Sequence, residues 1–217
     1  NGVTSNYRYD LASYTWQLVQ NLRSGKAIFT QPPMPIKCAG APQKALYLSA
    51  DHWFRTGRLK DIDIQFYNAG AVLFGVATYV PALMEYIKKY DATLNFSHNL
   101  VRIDGPAKTA WFSKTNADGT KETVETGFDM IHVCPPQKAP DFVRESLLAD
   151  QAGWVDVDQN TLRHKKFENI WSLGDVMNAP NAKTAAAARK QAPIVANNLL
   201  NDMGLAKGIA HYDGYGS

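Results

Sequence analysis

The spacing of apolar and polar positions along the chain changes period several times, and each change marks a predicted element. Residues 6–25 carry Tyr14, Leu18 and Leu22 at helical spacing, which predicts a helix that Gly25 ends. Ala27-Ile28-Phe29-Thr30 is short, apolar and β-prone, a strand that Pro32, Pro33 and Pro35 turn into a loop. Pro42 suits the first turn of a helix, and 43–55, with Leu46, Leu48 and Trp53 among good helix formers, continues it. Residues 62–67 alternate as a strand, and 78–90 places Tyr79, Leu83, Tyr86, Ile87 and Tyr90 on one broad helical face. Strand, glycine-bearing loop, helix, strand, helix is the opening of a nucleotide-binding α/β fold.

Four short β-prone runs follow at 93–96, 100–103, 109–112 and 123–126, the last two joined as a hairpin by Asp118-Gly119. Met130-Ile131-His132-Val133 is an apolar strand, and Pro135-Pro136 after it predicts a domain hinge. Beyond the hinge, 154–157 and 170–173 read as strands, Gly174-Asp175 follows the second, and a long helix runs from Lys183 to about Leu200, with Pro193 kinking or breaking it. The expected architecture is α/β. A Rossmann-like domain over 1–135, with a parallel sheet and an antiparallel hairpin insertion, is followed by a second segment over 136–217.

Composition narrows the function classes. With 45% hydrophobic residues among 217, the chain has ample material for a core. A net charge of +3, without long like-charge runs, gives no footprint for nucleic acid. No apolar run reaches the roughly 20 residues of a spanning helix, and nothing at the start has the pattern of a signal peptide. The two cysteines and five histidines lack metal-ligand spacing, so no metal is expected. A start at Asn1 without Met and an end at Ser217 suggest a fragment of a longer protein.

Candidate chemistry concentrates in two places. Cys38 follows Lys37 and precedes Gly40 and the helix start at Pro42, a setting that favours a reachable thiolate; the competing reading is a small filler in a tight turn. Cys134, at the end of an apolar strand, reads as packing. The 38–42 loop is not G-x-G-x-x-G, and the strand ending near Asn68 lacks an acidic residue for a ribose, which argues against a dinucleotide there. Asp175 beyond a strand end can accept hydrogen bonds from sugar-alcohol hydroxyls, or else caps a turn. Lys183-Thr184 opens an alanine-rich helix suited to a flat, electron-rich ligand and equally to close packing. Arg163-His164-Lys165-Lys166 reads as a solvated hairpin tip, and His98 and His132 as structural.

Taken in order, Ala27-Ile28-Phe29-Thr30, Lys37-Cys38-Ala39-Gly40-Ala41-Pro42-Gln43-Lys44, Phe74-Gly75-Val76, Gly153-Trp154-Val155-Asp156-Val157-Asp158, Gly174-Asp175, Lys183-Thr184-Ala185-Ala186-Ala187 and Tyr212-Asp213-Gly214-Tyr215 resemble the sulfide:quinone oxidoreductases, a flavoprotein branch of the disulfide reductases. The resemblance implies an NAD(P)-binding-like central domain over 1–135 and the carboxy-terminal part of an FAD domain over 136–217. It implies that Cys38 bears a persulfide near the flavin, that Asp175 binds the ribityl chain, and that Lys183, Thr184 and Ala185 face the isoalloxazine ring. Sulfide and quinone are the implied substrates and FAD the implied cofactor. FAD belongs to a full-length parent at a bacterial or mitochondrial inner membrane surface, and these 217 residues are expected to hold it weakly or not at all. The amino-terminal glycine fingerprint and the second redox cysteine of the family are not among them, and Val176 stands where some relatives have Cys. The alternatives are flavocytochrome c sulfide dehydrogenase, a type II NADH dehydrogenase-like flavoprotein, or a non-catalytic nucleotide-fold binding module.

Overall fold

The computed structural model describes residues 1–179 and 183–215; the chain end at Gly216-Ser217, on which the fragment reading drew, lies outside them. The described residues form two compact units, one of residues 1–34 with 40–136, the other of 35–39 with the described residues beyond 136.

In the first unit β1 (Val3–Thr4) precedes α1 (Tyr9–Asn21), β2 (Gly25–Gln31), α2 (Ala41–Arg55) and β3 (Ile62–Asn68). Then come α3 (Val80–Lys89), β4 (Thr93–Phe96), β5 (His98–Asp104), β6 (Thr109–Thr115), β7 (Lys121–Gly127) and β8 (Met130–His132). Strands β1, β8, β2, β3 and β4 lie in that order in one sheet, every pair parallel. Strands β5, β6 and β7 make a separate antiparallel sheet, so the insertion has three strands, and Asp118 turns β6 into β7 by accepting from the Thr120 N–H.

The strand period of two sorts side chains between the faces of the parallel sheet. Ala27, Phe29, Ile64, Phe66 and Met130 join a core with Leu46 and Trp53 of α2. The alternate residues Ile28, Tyr67 and Ile131 join another with Ala110 and Phe112 of β6, where the Tyr67 and Phe112 rings stack 4.0 Å apart. Strands buried on both faces read as continuous apolar runs, which is why β2 and β8 were plain in the sequence.

Two local expectations fail here. The first helix stops at Leu22, already extended, and Gly25 instead opens β2 at φ +106, where a Cβ would lie 2.1 Å from Asp129 Oδ2. That glycine is required by the approach of Asp129, which also accepts the Lys26 N–H, and not by a helix cap. The segment from 78 begins as a 3₁₀ turn over Ala77–Tyr79 before α3 starts.

The second unit is less regular. It holds α4 (Asp141–Arg144) and α5 (Ala185–Asp202), and the runs 154–157 and 170–173 are not strands. They make isolated bridges, Val155 to Met177, Val157 to His164 and Trp171 to Arg163. Side chains take the place of ladder partners: Asp150 accepts from the Trp154 N–H and Asn178 from the Val157 N–H. Trp154, Val155, Val157, Leu162, Met177 and Tyr212 form its core. The Arg163–Lys166 turn is solvated only in part, at the exposed Lys165 and Lys166. His164 is buried, its Nδ1 accepting from the Lys166 and Phe167 N–H groups, while Arg163 lies over the Trp171 ring and Lys165 pairs with Asp156 at 2.7 Å. Helix α5 continues through Pro193 without a break.

Candidate functional site

The five residues singled out by sequence, Cys38, Asp175, Lys183, Thr184 and Ala185, all belong to the second unit. Cys38 lies in a short segment that pairs with the residue opening α5: the Cys38 N–H donates to the Lys183 carbonyl at 2.7 Å, and Lys37 and Lys183 form a parallel bridge. Its backbone is left-handed, φ +54, unusual for a residue with a side chain, and the thiol is partly exposed. Sequence gave no sign of that conformation, because a lone cysteine carries no turn signature of the kind glycine or asparagine does.

Thr184 is the N-cap of α5, its hydroxyl accepting the Ala187 N–H at 3.1 Å. The N–H groups of Ala185 and Ala186 have no acceptor within the helix, as in any first turn. Ala185 is exposed, so small side chains leave the positive helix end open to an approaching group.

Lys183 itself points inward. Its ammonium is buried, lies 3.8 Å from the centroid of the Trp154 ring and donates to the Met177 carbonyl. Burial pushes its pKa down to about 8, with the nearby Asp175 carboxylate acting in the opposite direction. The side chain therefore packs inward beneath the helix start. Trp154 was quoted in the sequence as part of a motif but not as a site residue; the cation it carries became apparent only in the fold.

Asp175 sits in a 3₁₀ turn, Gly174–Val176, and not beyond a strand end. That turn is tied to α5 by the Gly174 N–H, which donates to the buried Gln191 Oε1 at 2.8 Å. Gly174 adopts φ +74 there, a conformation that suits glycine. The site thus has a partly exposed carboxylate, an open helix start and a thiol in one unit. Among the described residues no group of three His, Cys, Asp or Glu is placed to hold a metal.

In the first unit Cys134 is buried, and burial pushes its thiol up to about 11. Asn68 ends β3 with its amide committed to its own turn, donating to the Val72 carbonyl and accepting from the Gly70 N–H. His132 is fully buried with Nε2 accepting from the Asn6 N–H, and His98 Nδ1 lies 2.6 Å from the Phe96 carbonyl.

No protein-family model matches the chain. The mitochondrial sulfide:quinone oxidoreductase of Mus musculus is 41% identical over 215 residues, 99% of this chain and 47% of the relative. That of Dictyostelium discoideum is 43% identical over 220 residues, covering all of this chain and 47% of the relative, and that of Schizosaccharomyces pombe 37% identical over 97% of this chain. Among solved structures, the sulfide:quinone oxidoreductase of Aquifex aeolicus has a TM-score of 0.77 at 15% identity, covering 94% of this chain and 50% of that one. The T. acidophilum thioredoxin reductase has 0.57 at 16%, covering 93% and 58%. These two show a shared α/β fold. The chain spans about half the length of the curated relatives it matches. In sequence along nearly all of its length, and in fold, it is similar to the sulfide:quinone oxidoreductases.

Proposed function

We propose that the chain is the central and carboxy-terminal part of a flavoprotein that oxidises sulfide through a persulfide on Cys38 and reduces quinone, with 1–135 as its NAD(P)-binding-like domain and 136–217 as part of its FAD domain. The observation that carries this reading is the 2.7 Å hydrogen bond between the Cys38 N–H and the Lys183 carbonyl, which brings the thiol-bearing segment to the start of α5.

The donor set fits a flavin. Asp175 offers a carboxylate to the ribityl hydroxyls, and the Ala185 and Ala186 N–H groups with the helix dipole favour negative charge on a ring set against them. Thr184 keeps that helix start formed, and Lys183 anchors it from within. A flavin held there would supply a two-electron acceptor. Cys38 supplies the sulfur chemistry: hydrosulfide attacks a sulfur of a di- or trisulfide that includes Cys38, one S–S bond breaks as another forms, and the second cysteine of the full-length protein leaves as a thiolate carrying the electron pair. The NADH-dependent alternative is disfavoured by Asn68, whose amide is used up within its own turn where a ribose-binding carboxylate is needed.

The relatives are named as mitochondrial, which supports a place at the mitochondrial inner membrane. Among the described residues no helix is long and apolar enough to cross a membrane. In the full-length protein Cys38→Ser is expected to abolish sulfide-dependent quinone reduction while flavin absorbance is retained, since serine forms no persulfide and is no sulfur leaving group. Turnover retained by that variant overturns the reading.

A further inference from the structure

Cys38 holds a left-handed backbone that a side chain disfavours, and such a residue persists only where its surroundings over-determine it. A main-chain tie does so, the Cys38 N–H to the Lys183 carbonyl, which is the bond that makes the bridge between Lys37 and Lys183, and it ends on one residue. What fixes Lys183 is its side chain. The ammonium reaches inward to the face of the Trp154 ring at 3.8 Å and donates to the Met177 carbonyl. Trp154 is in turn packed in the core beside Val155, whose bridge to Met177 is made by two main-chain bonds, from its N–H to the Val176 carbonyl and from the Asn178 N–H to its own carbonyl. Contacts therefore run without a gap from Trp154 through Lys183 to Cys38. A buried cation is a costly choice for filling space that an apolar side chain fills without desolvating a charge, so its presence calls for a role other than packing.

We propose that Trp154 and Lys183 form a strut that holds Cys38 in its left-handed turn, making Trp154 a positioning residue for the sulfur-carrying thiol. This rests on the role given to Cys38 above. It assigns to Trp154 a part in the reaction that it plays through Lys183, without touching substrate or cofactor.

The test reads the Cys38 amide by hydrogen exchange in the chain, with the Cys134 amide, which donates to Thr30 Oγ1 in the first unit, as the internal reference. In Lys183→Met and Trp154→Ala, exchange at Cys38 is expected to rise about tenfold or more while Cys134 is unchanged, and Trp154→Phe, which keeps a ring face, is expected to restore most of the protection. Unchanged exchange at Cys38, equal acceleration at both amides, or no rescue by phenylalanine overturns the strut. In the full-length protein Trp154→Ala is expected to lower kcat for sulfide-dependent quinone reduction with KM for quinone and flavin content kept, and Trp154→Phe to recover it; a kcat equal to wild type in Trp154→Ala overturns the positioning role. The two readings fail separately. Turnover in Cys38→Ser removes the function and leaves the exchange result standing, whereas unaltered exchange beside an inactive Cys38→Ser removes only the strut.

Discussion

The two cysteines sit in regions built by different means. Around Cys134 the first unit is a periodic structure: a five-stranded parallel sheet whose alternate residues fill separate cores, with main-chain groups paired strand to strand. Around Cys38 the second unit has isolated bridges, side chains standing in for ladder partners, and a buried lysine on a tryptophan. The periodic region buries its thiol and keeps it protonated; the irregular one leaves its cysteine partly exposed in a left-handed turn. Regular pairing satisfies the backbone internally and leaves little for chemistry, while irregular backbone needs specific side chains to hold it and can present a reactive group.

The largest effect that tests this contrast is in the periodic core. Trp53 is fully buried between α2 and the sheet and donates its Nε1–H to the Val19 carbonyl at 2.9 Å. Trp53→Ala removes that packing and orphans the carbonyl, and is expected to cost about 3–5 kcal/mol in urea unfolding. A loss below about 1 kcal/mol means that the sheet is not the stable region this comparison takes it to be.

Next comes His132. Burial holds its ring near 4 against an ordinary 6.5. Above pH 6.5 the imidazole is neutral in both folded and unfolded chains, and its contribution is fully present. Between 6.5 and about 4 the unfolded chain takes up a proton that the folded one refuses, so stability falls with pH, by on the order of 3 kcal/mol in all. Comparing unfolding free energies at pH 7 and pH 4.5, His132→Gln is expected to show a smaller loss than wild type; equal losses in the two proteins mean that His132 is not the buried neutral ring.

These two residues also show how far the sequence could be read. Trp53 and His132 lie on runs whose period or continuous apolarity declares a helix or a buried strand, so their burial was legible from neighbours in the chain. The second unit offered no such period. The 154–157 run looks like a strand by residue type, yet it makes only isolated bridges, and its Trp154 and Val157 N–H groups go to the side chains of Asp150 and Asn178, which no local pattern announces. At the site, Thr184 and Ala185 were legible as a helix start. The positive φ of Cys38 and the inward turn of Lys183 onto Trp154 were not, because each depends on a contact between residues more than twenty apart in sequence.

The thiols themselves give the third test. Raising the Cys134 thiol to about 11 from an ordinary 9.0 lowers its thiolate fraction about a hundredfold at neutral pH, before occlusion of the sulfur is counted. Brief alkylation of the folded chain, read by peptide mass analysis, is expected to label Cys38 first, and the difference is expected to shrink in denaturant, where both thiols meet water. Faster labelling of Cys134 in the folded chain reverses the contrast between the two regions and removes Cys38 as the reactive thiol.

The smallest effect sharpens the comparison within the irregular region. Thr184 caps α5 by accepting the Ala187 N–H at 3.1 Å, and the helix start it organises is where the Lys183 carbonyl holds Cys38. Thr184→Ala leaves that N–H without its acceptor and is expected to cost about 1 kcal/mol, with Thr184→Ser recovering most of it because serine presents the same oxygen. In a periodic region so small a loss spreads over a cooperative lattice of bonds and has little local signature. In this one, amide exchange at Ala187 and then at Cys38 is expected to quicken before any change reaches the Cys134 amide. Uniform acceleration across all three amides means that the two regions melt as one, and that the structural contrast between them does not extend to their local stability.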